Sequence, residues 1–194
     1  MKTIPIYIVS SLLSVLVLIA AACSPMPTAV ATASLSPAST NTSTPATFND
    51  PFVYCSAVGT VDKPDARYTG EAVPDAVING FKKAAGLEGS TEPTDMLKQS
   101  TIWRCMGGKV YACNFGANLP CDSKANTDKT PSQAIDDFCK ANPNSQIIPM
   151  SVTGHDTIYN WTCVNDKAQI TEQIGQVDAE GYLAQIWYAI EPSS

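Results

Sequence analysis

The stretch TIWRCMGGKVYACNFGANLPC, residues Thr101 to Cys121, decides the fold. It carries Cys105, Cys113 and Cys121, and it reads as a tight hairpin followed by a polar loop. Gly107 and Gly108 stand between two runs of β-forming residues, where a two-residue hairpin turn belongs. With that turn, Cys105 faces Val110 and Trp103 faces Ala112 on one side of the sheet. Arg104, Tyr111 and Cys113 point to the other side, because side chains alternate along a strand. Cys105 and Cys113 then cannot bond to each other, and they staple the hairpin to different neighbours. The opening pattern recurs downstream: Trp103, Cys105 and Lys109 are echoed by Trp161, Cys163 and Lys167, each a W-x-C-x-x-x-K with turn residues in the middle. The echo concerns architecture rather than chemistry.

Upstream of the hairpin, residues 52–58 are rich in β-formers and end before Gly59, which predicts a short strand. Val77, Ile78 and Phe81 make one apolar face of a helix from Pro74 or Asp75 to about Ala85, with Gly86 at its end. Gly80 inside that helix costs about 1 kcal/mol relative to Ala. Residues 88–95 read as loop, as do residues 114–130. Thr130, Pro131 and Gln133 then fit a capping box that opens a second helix, with Ile135, Phe138 and Cys139 facing inward and Pro143 ending it. Residues 146–152 read as an edge strand interrupted by Pro149. A second hairpin joins residues 157–164 to 167–173 through Asn165 and Asp166, and residues 182–190 read as a buried strand or a short helix, the strand favoured by the Gly-ending turn before it. The expected class is α+β: a small antiparallel sheet built from hairpins, with two helices packed on it and disulfides bracing the whole.

Of the seven cysteines, one (Cys23) lies at the end of the leader, and the other six are Cys55, Cys105, Cys113, Cys121, Cys139 and Cys163. An even set in an exported domain implies disulfides, and sequence alone does not choose among the pairings. No two are spaced C-x-x-C, which argues against a zinc ribbon or a thioredoxin-like redox pair. The chain carries a formal net charge of −6 and no basic patch, so nucleic acid is not an expected partner.

The first residues have the shape of a secretory leader: Lys2, an apolar run from Ile4, and small residues up to Ala22. The end of that run, Ala20-Ala21-Ala22-Cys23, resembles a bacterial lipoprotein lipobox. The resemblance implies a signal peptide over residues 1–22 and lipidation of Cys23 as the first residue of the mature chain. It also implies an extracytoplasmic body held to a bacterial membrane. An uncleaved signal anchor is the alternative. Residues 24–47 hold no charge and consist mostly of Ser, Thr, Ala and Pro. Such a composition buries too little surface to offset ordering, so residues 23–47 read as a lipidated Cys followed by a disordered linker. Residues 48–194 then form one disulfide-rich globular domain.

Over Tyr54 to Ile190 the runs WRCMGGKVYAC, GANLPC, FCKANP, VTGHDTIY and DAEGYLAQIW are similar to a group of small exported bacterial proteins. That resemblance supports export and the cysteine framework. It carries no catalytic residue across, because the group has no assigned activity.

Candidate ligand contacts are Arg104, Tyr111, His155 and Asp156. Arg104 stands on the face opposite Trp103, beside Tyr111. If that face is open, an Arg flanked by aromatics suits an anion or peptide; if it is covered, Arg104 belongs to a structural ion pair. His155 is the only histidine. Beside Asp156 it suits a general base, with Ser151 or Thr153 as nucleophile. No G-x-S-x-G elbow accompanies it, and an exposed turn histidine is the plainer reading. Asn114, Asn118, Asp122, Asn126 and Asp128 crowd oxygens into one loop without the spacing of a calcium loop, so no metal is expected. The tryptophans and tyrosines suit either a core or a groove for glycan or peptide. The reading is a non-enzymatic binding or interaction module tethered at the cell envelope, with no cofactor, whose partner is an envelope protein, peptide or glycan. The alternatives are an envelope hydrolase using His155 and a structural envelope component.

Overall fold

A computed structural model describes residues 46–192, so the leader, Cys23 and most of the linker lie outside the described residues. The order is α1 (Pro51–Val58), α2 (Asp75–Ala84), α3 (Thr94–Ser100), β1 (Thr101–Met106), β2 (Lys109–Asn114), α4 (Gln133–Ala141), α5 (Met150–Thr153), β3 (Tyr159–Val164), β4 (Lys167–Gln173) and β5 (Tyr188–Ile190). One antiparallel sheet runs β1-β2-β5, and a second contains β3 and β4. The α+β class, the disulfide bracing and both hairpins are as expected.

β1 and β2 pair with Cys105 opposite Val110, Trp103 opposite Ala112 and Arg104 opposite Tyr111. The turn between them puts Gly107 at φ 59 and Gly108 at φ 78, the doubly positive geometry that a type I′ hairpin needs. The echoed pattern gives a second hairpin, with Val164 opposite Lys167 across Asn165 and Asp166.

Both faces of the β1-β2 hairpin are buried. On one face Trp103, Cys105, Val110 and Ala112 pack with Tyr54 and Cys55 of α1, Val77 and Phe81 of α2, and Ile190 of β5. On the other, Cys113 joins a core made of Trp161, Cys163, Ile135, Tyr182 and Trp187. Three disulfides follow from this division: Cys55–Cys105 ties α1 to β1, Cys113–Cys121 closes the loop after β2, and Cys139–Cys163 pins α4 to β3. Cys105 and Cys113 do not pair, because they stand on opposite faces. Disulfides of this kind form and persist in an oxidising, extracytoplasmic compartment. No helix among the described residues is long and apolar enough to cross a membrane.

Four segments differ from the sequence-based expectation. Residues 52–58 are helical: Asp50 accepts hydrogen bonds from the amides of Phe52 (2.8 Å) and Val53 (2.9 Å), and Pro51 sits in the first turn. That cap outweighs the β-preference of Phe52, Val53 and Tyr54. Residues 94–100, read partly as loop, form α3. Residues 146–152 make no ladder strand; Ser145 and Ile148 touch β3 through single backbone bonds (2.8 Å each), and Pro149 then starts α5. In residues 182–190 only Tyr188–Ile190 is a strand, preceded by a 3-10 turn at Ala184–Ile186.

The cap of α4 also moves. Ser132 rather than Thr130 accepts the Ile135 amide, at 3.4 Å, while the Thr130 amide donates to Asp128 Oδ1 at 2.8 Å. In α2, a Cβ on Gly80 would overlap Ile190 Cγ2, so the glycine that weakens the helix lets it close on β5.

The loop before α2 carries a measurable electrostatic feature. The Arg67 guanidinium, through Nε at 3.0 Å, and the Arg67 amide both donate to Asp65. Those hydrogen bonds, the side-chain one first, hold the Asp65 carboxyl at about 2 against an ordinary 3.8. A depressed carboxylate contributes stability that is present above its ordinary value and lost as pH falls toward the folded one. A carboxyl-carbon NMR titration is expected to find the Asp65 midpoint near 2, returning toward 3.8 in Arg67→Ala.

Candidate functional site

A groove of about 720 Å³ runs along the outer edge of β1. Ile102 and Trp103 of β1 line it, with Val73 from the segment before α2 and Phe115 and Leu119 from the loop after β2. Asp62, Lys63 and Asp122 carry its charges.

Local chemistry makes both walls firm. The Cys113–Cys121 bridge closes a loop of sequence separation 8. Inside it Asn114 donates to the hydroxyls of Ser100 (2.8 Å) and Thr101 (3.1 Å), and accepts from the Gly116 amide (3.0 Å). The Phe115 amide donates to the Ser100 carbonyl at 2.8 Å. The loop is therefore stitched to the start of β1, and it holds Phe115 43% and Leu119 40% exposed beside the groove. On the opposite wall Trp103 Nε1 donates to the Ala72 carbonyl at 2.7 Å, which fixes the segment carrying Val73. Lys124 pairs with Asp62 at 2.7 Å.

The residues nominated from sequence are not brought together. Arg104 is fully buried and pairs with Asp178. Its guanidinium carbon lies 4.3 Å from the Tyr182 ring centre and 4.4 Å from that of Trp187, with Tyr111 at 5.8 Å. The face is covered, so Arg104 has the structural ion-pair role and is not open to a ligand. Tyr111 is half-buried beside it.

His155 is exposed and lies outside the groove. No hydrogen bond joins its ring to a Ser, Thr or carboxylate among the described residues. Thr153 Oγ1 donates instead to the Gly154 carbonyl at 3.3 Å. Asp156 is half-buried, and its backbone carbonyl accepts the Asn126 amide at 2.7 Å. The general-base arrangement with Ser151 or Thr153 is not assembled here.

Among the described residues no three His, Cys, Asp or Glu side chains are grouped as metal ligands. The oxygen-rich loop spends its side chains on turns. Asn126 Oδ1 accepts the Asp128 amide at 2.9 Å, and the Thr130 amide bonded to Asp128 holds that carboxyl below the usual range. A smaller cavity of about 160 Å³ lies beside this loop, against Ser132, Thr157 and Trp161.

Trp103, Trp161 and Trp187 are all core residues, at 3%, 3% and 7% exposure. Trp103 alone of the three also lines the groove. The sequence reading missed the groove, although a signal was present: Phe115 and Leu119 are large apolar residues in a polar loop bounded by two half-cystines. A loop so short and so pinned presents its side chains rather than burying them.

Comparison with family models, with characterised proteins and with solved structures gives no match to this chain.

Proposed function

We propose that this chain is a lipoprotein tethered at the cell envelope through Cys23, and that its folded domain is a non-enzymatic binding module whose ligand enters the β1-edge groove. One observation carries the reading: a disulfide-closed loop holds Phe115 and Leu119 roughly two-fifths open in a groove of about 720 Å³ that Ile102, Trp103 and Val73 also line. Apolar side chains fixed in that position lose little further entropy on binding, which is how a preformed groove supports affinity. Nothing comparable favours a hydrolase, since His155 faces solvent away from the groove. The ligand class is an envelope protein, peptide or glycan.

The test uses the full chain. Cys23→Ala is expected to abolish incorporation of labelled fatty acid and to move the protein out of the membrane fraction; unchanged labelling would end the tether. Leu119→Asp is expected to lower retention on immobilised envelope material by about tenfold, while its unfolding free energy shifts by no more than about 0.5 kcal/mol, as usual at an exposed site. Equal retention of wild type and Leu119→Asp would remove the groove as the ligand site.

A further inference from the structure

The groove lies where a strand is missing. From the hairpin tip to Cys105 the outer edge of β1 is covered: Gly108 donates to the Gly59 carbonyl (2.8 Å), and Cys105 and Val61 exchange both backbone bonds (3.0 Å each). Cys105 therefore directs its amide and carbonyl away from β2. Orientation alternates along an antiparallel pair, so Trp103, two residues on, directs its own amide and carbonyl the same way. The covering chain does not follow. After Val61 it bends away at Asp62 and Lys63, and the Trp103 amide and carbonyl find no partner among the described residues. Trp103 is only 3% exposed, and buried backbone groups left unpaired are rare.

The walls fit the same account. Trp103 and Ile102 project to opposite faces of the sheet, and both touch the groove. A groove reached from both faces of one strand is a strand edge. Val73, packed with the Trp103 cluster, and Leu119 also line the groove, so apolar side chains stand beside the path of an added strand.

The geometry points to an extended peptide of a partner polypeptide as the ligand, added as a strand beside Trp103. This rests on the groove being the ligand site and names what enters it. Charge selects the partner further. Asp122 on the loop wall and Lys63 at the bend form no ion pair among the described residues, so the peptide that suits the site carries apolar residues with one basic and one acidic side chain. The chain's own linker, uncharged from Ser24 to Thr47, answers neither charge.

The probe is a blocked peptide of alternating valine and threonine with one lysine and one glutamate, titrated by fluorescence anisotropy against the full-length lipidated chain in detergent micelles. Hydrogen exchange of residues 101–106 is followed in parallel. Expected results are saturable binding, protection of the Trp103 amide, and a period-two response to backbone N-methylation. Methylation at amides facing β1 weakens binding by about tenfold, and methylation at the intervening amides is tolerated. Absence of binding, or uniform sensitivity to methylation, overturns strand addition. If Leu119→Asp still lowers envelope retention in that case, the groove stands as a ligand site of another chemistry. If retention is also unmoved, the groove itself falls. Protection of Trp103 without peptide overturns the partner in favour of the linker when deletion of residues 24–42 removes it, and in favour of a second copy when it rises with protein concentration.

Discussion

Asp178→Ala is expected to destabilise the folded domain by about 3–5 kcal/mol, the cost of leaving a buried cation without its counter-ion. Asp178 Oδ2 accepts from Arg104 Nη2, while Oδ1 accepts the amides of Glu180 (2.9 Å) and Tyr182 (3.0 Å). One carboxylate thus neutralises the guanidinium and shapes the turn that delivers Tyr182. The Arg104 side chain is fully buried and that of Asp178 is 9% exposed, so water replaces neither partner. Arg104 Nε and Nη1 meet no oxygen among the described residues, and the faces of Tyr182 and Trp187 take that place. Urea unfolding of a double-mutant cycle checks this. Asp178→Ala combined with Arg104→Met is expected to cost less than the sum of the singles, because no unpaired charge is left behind. Asp178→Asn, which keeps an acceptor for the turn, is expected to fall between. A loss below about 1 kcal/mol for Asp178→Ala would show that the pair is not buried as described.

Paired alanine replacement of the disulfides is expected to rank by the chain each one closes. On the chain-entropy model the Cys55–Cys105 bridge, of separation 50, contributes about 4 kcal/mol. Cys139–Cys163, of separation 24, contributes about 3.4 kcal/mol, and Cys113–Cys121, of separation 8, about 2.5 kcal/mol. Against a total stability of about 5–15 kcal/mol for a domain, loss of the first alone can unfold the protein at body temperature. Unfolding midpoints of the three paired variants test the order, and reversal of the first and last would refute the entropic account. At a temperature where all three paired variants remain folded, ligand retention is expected to rank the other way. The shortest bridge holds Phe115 and Leu119 beside the groove, so Cys113→Ala with Cys121→Ala should keep most of its stability and lose the most binding.

Much of this architecture follows from short-range rules. The paired glycines at 107 and 108 set the turn, the turn sets the register, and alternation then puts Cys105 and Cys113 on opposite faces. The amphipathic faces of α2 and α4 are equally local, and so is the Asp50-Pro51 cap of α1, which overrides the β-preference of the residues after it. What depends on distant parts of the chain is a different set. The pairing of six cysteines requires knowing which helix lies on which face. Arg104 could be judged open or covered only once Asp178, Tyr182 and Trp187, more than seventy residues away in sequence, had closed over it. The groove exists because the chain after Val61 leaves β1 one step early while the Cys113–Cys121 loop rises beside it. Turn geometry and side-chain alternation act within a few residues and are therefore written in local order; burial, pairing and an uncovered edge come from packing between segments, which only the tertiary structure decides.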